Sequence, residues 1–243
     1  METERALALY AAVLAKRFGV RIEWAERVGT AATDGKVVRI SPRFRRLGTA
    51  EEAATLFGLM GHETGHIKLT NFDVLRDVDS PLLKGLHNIF EDVWMERAFT
   101  ASYPSVWQDI VASMIHMRKL GLYGPPKVRP EVARANPGVV FLNFNLAVAL
   151  GMHYQLADFA ADAVAWELCA REVFGNAIVD QVLALHPRVR MARSTRDALA
   201  LAKDVLGVLQ QASQPTAASS QQNERGAGDQ ADDEGGEQGQ GGG

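Results

Sequence analysis

The stretch Thr49-Ala50-Glu51-Glu52-Ala53-Ala54-Thr55-Leu56-Phe57-Gly58-Leu59-Met60-Gly61-His62-Glu63-Thr64-Gly65-His66-Ile67-Lys68-Leu69 decides how the chain is read. No proline interrupts it, Thr49 is a natural N-cap, and Glu51 and Glu52 fall in the first turn, where the helix dipole favours acids. A long helix over Ala50–Leu69 is predicted. On that helix the four-residue spacing stacks the imidazoles of His62 and His66 on one face, close enough to share one tetrahedral ion. Glu63 lies about 100° round from His62, beside the ion rather than under it. It can hold a water that the metal acidifies towards a pKa of about 7, and take its proton. Gly65 costs about 1 kcal/mol of helix propensity relative to Ala, so a glycine here points to close approach by another backbone or a substrate. The bland alternative is two surface histidines on an amphipathic helix. The apolar flanks Leu56, Phe57, Leu59, Met60, Ile67 and Leu69 favour the metal site.

A catalytic ion needs a third protein ligand and an open fourth position. The next predicted helix carries Asn88-Ile89-Phe90-Glu91-Asp92-Val93-Trp94-Met95-Glu96-Arg97. Asn88, Glu91, Asp92 and Glu96 share one stripe, while Ile89, Phe90, Val93 and Trp94 supply packing surface. Alone, this would read as a solvated acidic face paired with Arg97. Beside the two histidines it reads as the source of the missing ligand.

His-Glu-x-x-His followed downstream by an acidic helix is similar to the gluzincin branch of zinc metallopeptidases. The form Asn-x-x-Glu-Asp-x-x-x-Glu-Arg resembles the compact metallopeptidase-like region of the CobT group. The resemblance covers roughly residues 56–97 and the character of the C-terminal stretch. It implies a zincin-like fold, Zn2+ as cofactor, His62 and His66 as ligands, Glu63 as general base and Glu91 as the glutamate ligand. It also implies a protein or peptide substrate, a MoxR-type AAA+ ATPase partner and a C-terminal von Willebrand factor A domain. One departure matters. Thermolysin-like gluzincins use Glu-x-x-x-Asp, but four residues after Glu91 stands Met95, whereas four after Asp92 stands Glu96. The ligand is therefore Glu91 or, alternatively, Asp92 with Glu96 behind it. Glu91 is preferred because its longer arm spans a gap between helices more easily. Asn88 and Asp92 then join Glu96 as groups that hold the histidines by accepting their other N–H. His153 and Tyr154, beside an expected helix start, are the candidates for stabilising an oxyanion. His87, His116 and His186 read as surface or core histidines.

Composition sets the outer bounds. The 243 residues are 47% hydrophobic and 23% charged with a net charge of −3, the balance of an ordinary globular chain. No basic excess marks a general nucleic-acid binder. The single Cys169 excludes an internal disulfide framework and a Cys-rich zinc site. No apolar run suffices for a membrane span and no secretory signal is visible, so a cytoplasmic location is the default expectation.

Residues 1–213 read as one domain and 214–243 as a disordered acidic Gly/Gln-rich tail or linker, with six acids against Arg225. A helix over Thr3–Phe18 precedes two extended segments, Val20–Trp24 and Lys36–Ile40, with a turn signal at Asp34-Gly35. Further helices are expected near Pro81–Ala101, Val106–Leu120, Gln155–Phe174, Ala177–Leu185 and Thr195–Gln211. Residues Tyr123–Asn136 read as a loop, and Val139–Leu150 is open between buried strand and buried helix. The class is mainly α with a small β-sheet.

Two further readings stand beside a zinc metalloendopeptidase: a catalytically silent, zinc-stabilised interaction module, and a chelatase-type accessory subunit. Glu63 separates them, because a structural ion has no need of a non-ligand glutamate there.

Overall fold

In the computed structural model, which describes residues 2–16, 19–76, 78–127 and 129–212, the predicted long helix spans Ala50–Leu69. It is α2, preceded by α1 (Glu2–Ala15). The Thr49 hydroxyl accepts the Glu52 N–H while the Glu52 carboxylate accepts the Thr49 N–H, so two otherwise orphaned donors are satisfied reciprocally. The acidic stretch 214–243 lies outside the described residues, as does the Arg17-Phe18 end expected for the first helix.

Between α1 and α2 stand three short strands, β1 (Arg21–Trp24), β2 (Ala31–Thr33) and β3 (Val37–Ile40), in the order β1-β3-β2. The two extended segments read from the sequence, now β1 and β3, run parallel. Parallel neighbours cannot be joined by a tight turn. The Asp34-Gly35 turn instead links β3 to the intervening β2, its antiparallel partner. Asp34 Oδ1 accepts the N–H groups of Lys36 and Val37, and Gly35 takes the positive φ of 85°. Strand β2 is thereby left at the sheet edge.

The rest is helical: α3 (Pro81–Ser102), α4 (Pro104–Lys119), α5 (Pro130–Ala135), α6 (Pro137–Tyr154), α7 (Ala157–Phe174), α8 (Asn176–Leu185) and α9 (Thr195–Ala212). Helices α3 to α6 each begin on a proline, whose missing N–H is no loss at a first helical position. The architecture is mainly α with a small mixed sheet. No described helix is long and apolar enough to cross a membrane.

Two sequence expectations need correcting. The stretch Tyr123–Asn136 is not all loop, since α5 forms within it behind Pro130. The ambiguous Val139–Leu150 lies inside α6, a helix with no polar face because it is packed in the core; even Asn145 is fully buried. Gln155 adopts left-handed geometry and closes α6, so His153 and Tyr154 stand at a helix end rather than a start.

Two apolar clusters meet on α3. Trp94, Met95 and Phe99 join the cluster formed with α1, the sheet, α2 and α4; Leu86, Ile89, Phe90 and Val93 join that of α6 to α9. Helix α2 packs tightly through glycines. A Cβ at Gly65 would run into the Met95 sulfur, and one at Gly58 into the Asp109 carbonyl oxygen and Ser113. At Gly65, three residues from His62, the bare backbone of α2 is therefore packed directly against the Met95 side chain of α3.

Candidate metal centre

His62 and His66 project from the second half of α2, one turn apart, into a cavity of about 380 Å³ between α2, α3 and strand β2. Their Nε2 atoms stand 3.1 Å from each other. Asp92 Oδ1, from α3, stands 3.1 Å from Nε2 of His66 and 3.7 Å from Nε2 of His62. These three side chains form the one group of metal-ligating residues of this kind among the described residues.

The donor set passes a simple test of fit. An ion bound tetrahedrally at 2.0–2.1 Å needs donors roughly 3.3 Å apart, and the three separations bracket that value. Asp92 Oδ1 is moreover buried without a hydrogen-bond partner, an acceptor left for something other than protein. The electrostatics point the same way. Burial opposes a charge on His62, but Asp92 and Glu96 outweigh it and push its pKa up to about 10. The pocket therefore favours positive charge between these groups.

Asp92, not the preferred Glu91, is the carboxylate that meets the histidines. A long arm helps only across a wide gap between helices, and the close packing of Gly65 on Met95 removes that gap. One residue, about 100° around the helix, then separates the two acids. Glu91 Oε1 accepts instead from the Thr70 and Thr195 hydroxyls, at 2.8 and 2.9 Å. Its carboxyl is pushed up by burial, against the pull of those two hydrogen bonds. Gly65 was the sequence signal that a short-armed ligand would reach.

The other predicted residues stand around these three side chains, not all in the roles expected of them. Glu96 Oε1 lies 2.7 Å from Nδ1 of His62, leaving that ring's Nε2 lone pair for an ion. Asn88 does not touch a histidine; its amide donates to Asp92 Oδ2 at 3.1 Å and orients that carboxylate. His153 and Tyr154 do not offer free donors to a substrate oxyanion. His153 Nε2 and the Tyr154 hydroxyl bind Glu96 Oε2 at 2.7 and 2.9 Å. Burial pushes the Glu96 carboxyl up, but the hydrogen bonds and charges of His153 and His62 outweigh it and hold it down to about 2.

Two features were not singled out from the sequence. Thr70, the residue that ends α2, places its hydroxyl 2.9 Å from Nδ1 of His66. Tyr123 lines the same cavity and makes no hydrogen bond to any described residue. Its hydroxyl is pushed up to about 12 by burial and by the charges of Asp92 and Glu96, so it keeps its proton at neutral pH. Neither carried a local signal: Thr70 sits outside the motif, and Tyr123 sits in a turn brought to the site by tertiary packing.

Of the remaining histidines, His186 and His87 are core residues, while His116 is partly buried with Nδ1 against the Thr55 hydroxyl. Compared with protein-family models, curated proteins and solved structures, the chain has no match.

Proposed function

We propose that this chain is a zinc-dependent peptide hydrolase, with His62, His66 and Asp92 holding the ion and Glu63 serving as general base. The observation that carries the reading is Glu63 itself. It is 5% exposed, lines the cavity beside the ligands, and makes no hydrogen bond or ion pair with any described residue. Burial pushes its carboxyl up against the pull of His62 and His66. A carboxylate that faces the cavity with no protein hydrogen-bond partner is free to bind water there, and holding an ion does not require it. A metal-assisted hydrolysis does.

A divalent cation bound at the three ligands would supply an acidified water and a polarised carbonyl. Imidazole and carboxylate donors in tetrahedral spacing suit zinc. Glu63 takes the proton of the attacking water and returns it to the amine as the C–N bond breaks; a raised pKa suits both transfers. Tyr123 donates its hydroxyl proton in a hydrogen bond to the carbonyl oxygen as negative charge develops there. Peptide rather than a compact small molecule is favoured by β2. Residues Ala31 to Thr33 form both a wall of the cavity and an edge strand, along which an extended chain can add as a further strand.

The test is Glu63→Gln. The variant is expected to keep its fold and its bound zinc, and to lose hydrolysis of a fluorogenic peptide library by at least a hundredfold. Undiminished hydrolysis would overturn the role of Glu63. Absence of hydrolysis in the wild-type chain, with zinc bound, would support the silent interaction module or the chelatase-type accessory subunit. The AAA+ ATPase partner and the von Willebrand factor A domain rest on the sequence resemblance alone.

A further inference from the structure

We propose that Thr70, Glu91 and Thr195 form a hydrogen-bond relay that locks His66 in its Nδ1–H tautomer, making Thr70 and Thr195 positioning residues for the second histidine. The inference rests on the metal reading for its purpose, but not for its geometry.

The direction of every bond in the relay follows from proton counting. Glu91 Oε1 is approached by two hydroxyls, Thr70 Oγ1 at 2.8 Å and Thr195 Oγ1 at 2.9 Å, and each donates its proton to that oxygen. A threonine hydroxyl has one proton to give. Thr70 Oγ1 can therefore meet His66 Nδ1, 2.9 Å away, only as an acceptor. Nδ1 must carry the ring proton, and Nε2 must present its lone pair towards His62 and Asp92. The same logic fixes Thr195, whose oxygen accepts the backbone N–H of Asn71 at 2.9 Å. The direction holds for an ionised Glu91 and for one protonated on Oε2, the oxygen that engages neither threonine; a proton on Oε1 would reverse one of the two bonds, and the His66 tautomer reports which case holds.

The arrangement is costly without such a purpose. Glu91 is 2% exposed, its Oε2 has no hydrogen-bond partner, and His87 Nε2 stands 3.7 Å from that oxygen, so the carboxylate is buried with two hydroxyls and one nearby imidazole for support. A pair of apolar side chains would fill the space at less cost. The two histidines are thus served differently: His62 by direct contact with Glu96, His66 through a threonine. The second system reaches across 104 residues to the first turn of α9.

The experiment reads tautomers directly. Long-range nitrogen–proton correlation spectra of the metal-free protein are expected to show His66 as the Nδ1–H form. In Thr70→Val that form gives way to a mixture, and Thr70→Ser restores it. Zinc affinity, measured by competition with a chromophoric chelator, is expected to fall roughly ten- to hundredfold in Thr70→Val and in Thr195→Val, and to return in the serine variants. An Nε2–H tautomer for His66 in the wild-type chain would overturn the relay. So would unchanged spectra and zinc affinity in a folded Thr70→Val. A wild-type chain with the stated tautomer that binds no zinc would instead sink the metal reading and leave the relay standing.

Discussion

At the residue level, Tyr123 separates binding from chemistry in the proposed mechanism. It lines the cavity and makes no hydrogen bond to any described residue. In Tyr123→Phe the expected loss is in kcat, roughly a hundredfold, with KM nearly unchanged. A rise in KM at constant kcat would assign Tyr123 to substrate binding instead. No local pattern marked this residue, because tertiary packing brings it to the cavity. His62, Glu63 and His66 were readable because helical spacing alone places them. The choice between Glu91 and Asp92 was not, since it depends on the distance between two helices. That distance is limited by the clash a side chain at Gly65 would make with Met95, which only the packed structure displays.

At the scale of elements, α2 shows why glycine inside a helix is not always a weakness. Gly58 lies where a Cβ would strike the Asp109 carbonyl oxygen and Ser113, so α4 is seated against bare backbone. A Cβ at Gly207 in α9 would have no described atom outside its own turn within 4 Å. The propensity gain of a Gly→Ala change is about 1 kcal/mol at either position, but overpacking costs about 1–3 kcal/mol where backbone blocks the methyl. Gly207→Ala is therefore expected to raise the denaturation midpoint slightly, and Gly58→Ala to lower it. A stabilised Gly58→Ala would show that α2 and α4 can move apart freely. Elements that rely on burial carry little local signal. Helix α6 has no polar stripe to betray its period, and α5 was masked by the prolines and arginines around it. Helices with a cap and a two-sided pattern, such as α2 and α9, were found to within a residue or two.

At the scale of the whole molecule, the two apolar clusters share α3, so a weakness in one is felt in the other. The cluster around α6 to α9 contains a buried ionisable group held neutral at neutral pH. His186 is 1% exposed, its Nε2–H is committed to Asn145 Oδ1 at 2.9 Å, and its Nδ1 has no partner. Burial lowers its pKa to about 4, below the usual 6.5 of the unfolded chain. The unfolded state then binds the extra proton first. Stability that is complete above about pH 6.5 is lost as pH falls towards 4, by up to about 3 kcal/mol. Acid titration followed by circular dichroism should show that slope flattened in His186→Gln. An unchanged slope would place the acid sensitivity elsewhere.

The contact between Thr195 and Glu91 also has a consequence in time. The three proposed ligands and Glu96 all lie between residues 62 and 96, and they exist on a growing chain long before α9 does. At ribosomal speeds of about 5–20 residues per second, the 104 residues from Glu91 to Thr195 take roughly 5 to 20 s to appear. During that interval His62 already has its carboxylate, while Glu91 lacks one of its two donors. An ion bound by the proposed ligands in that interval would meet a His66 whose relay is still incomplete. Docking of α9 would supply the second donor to Glu91, so the proposed site reaches its final geometry only when the last described helix is in place.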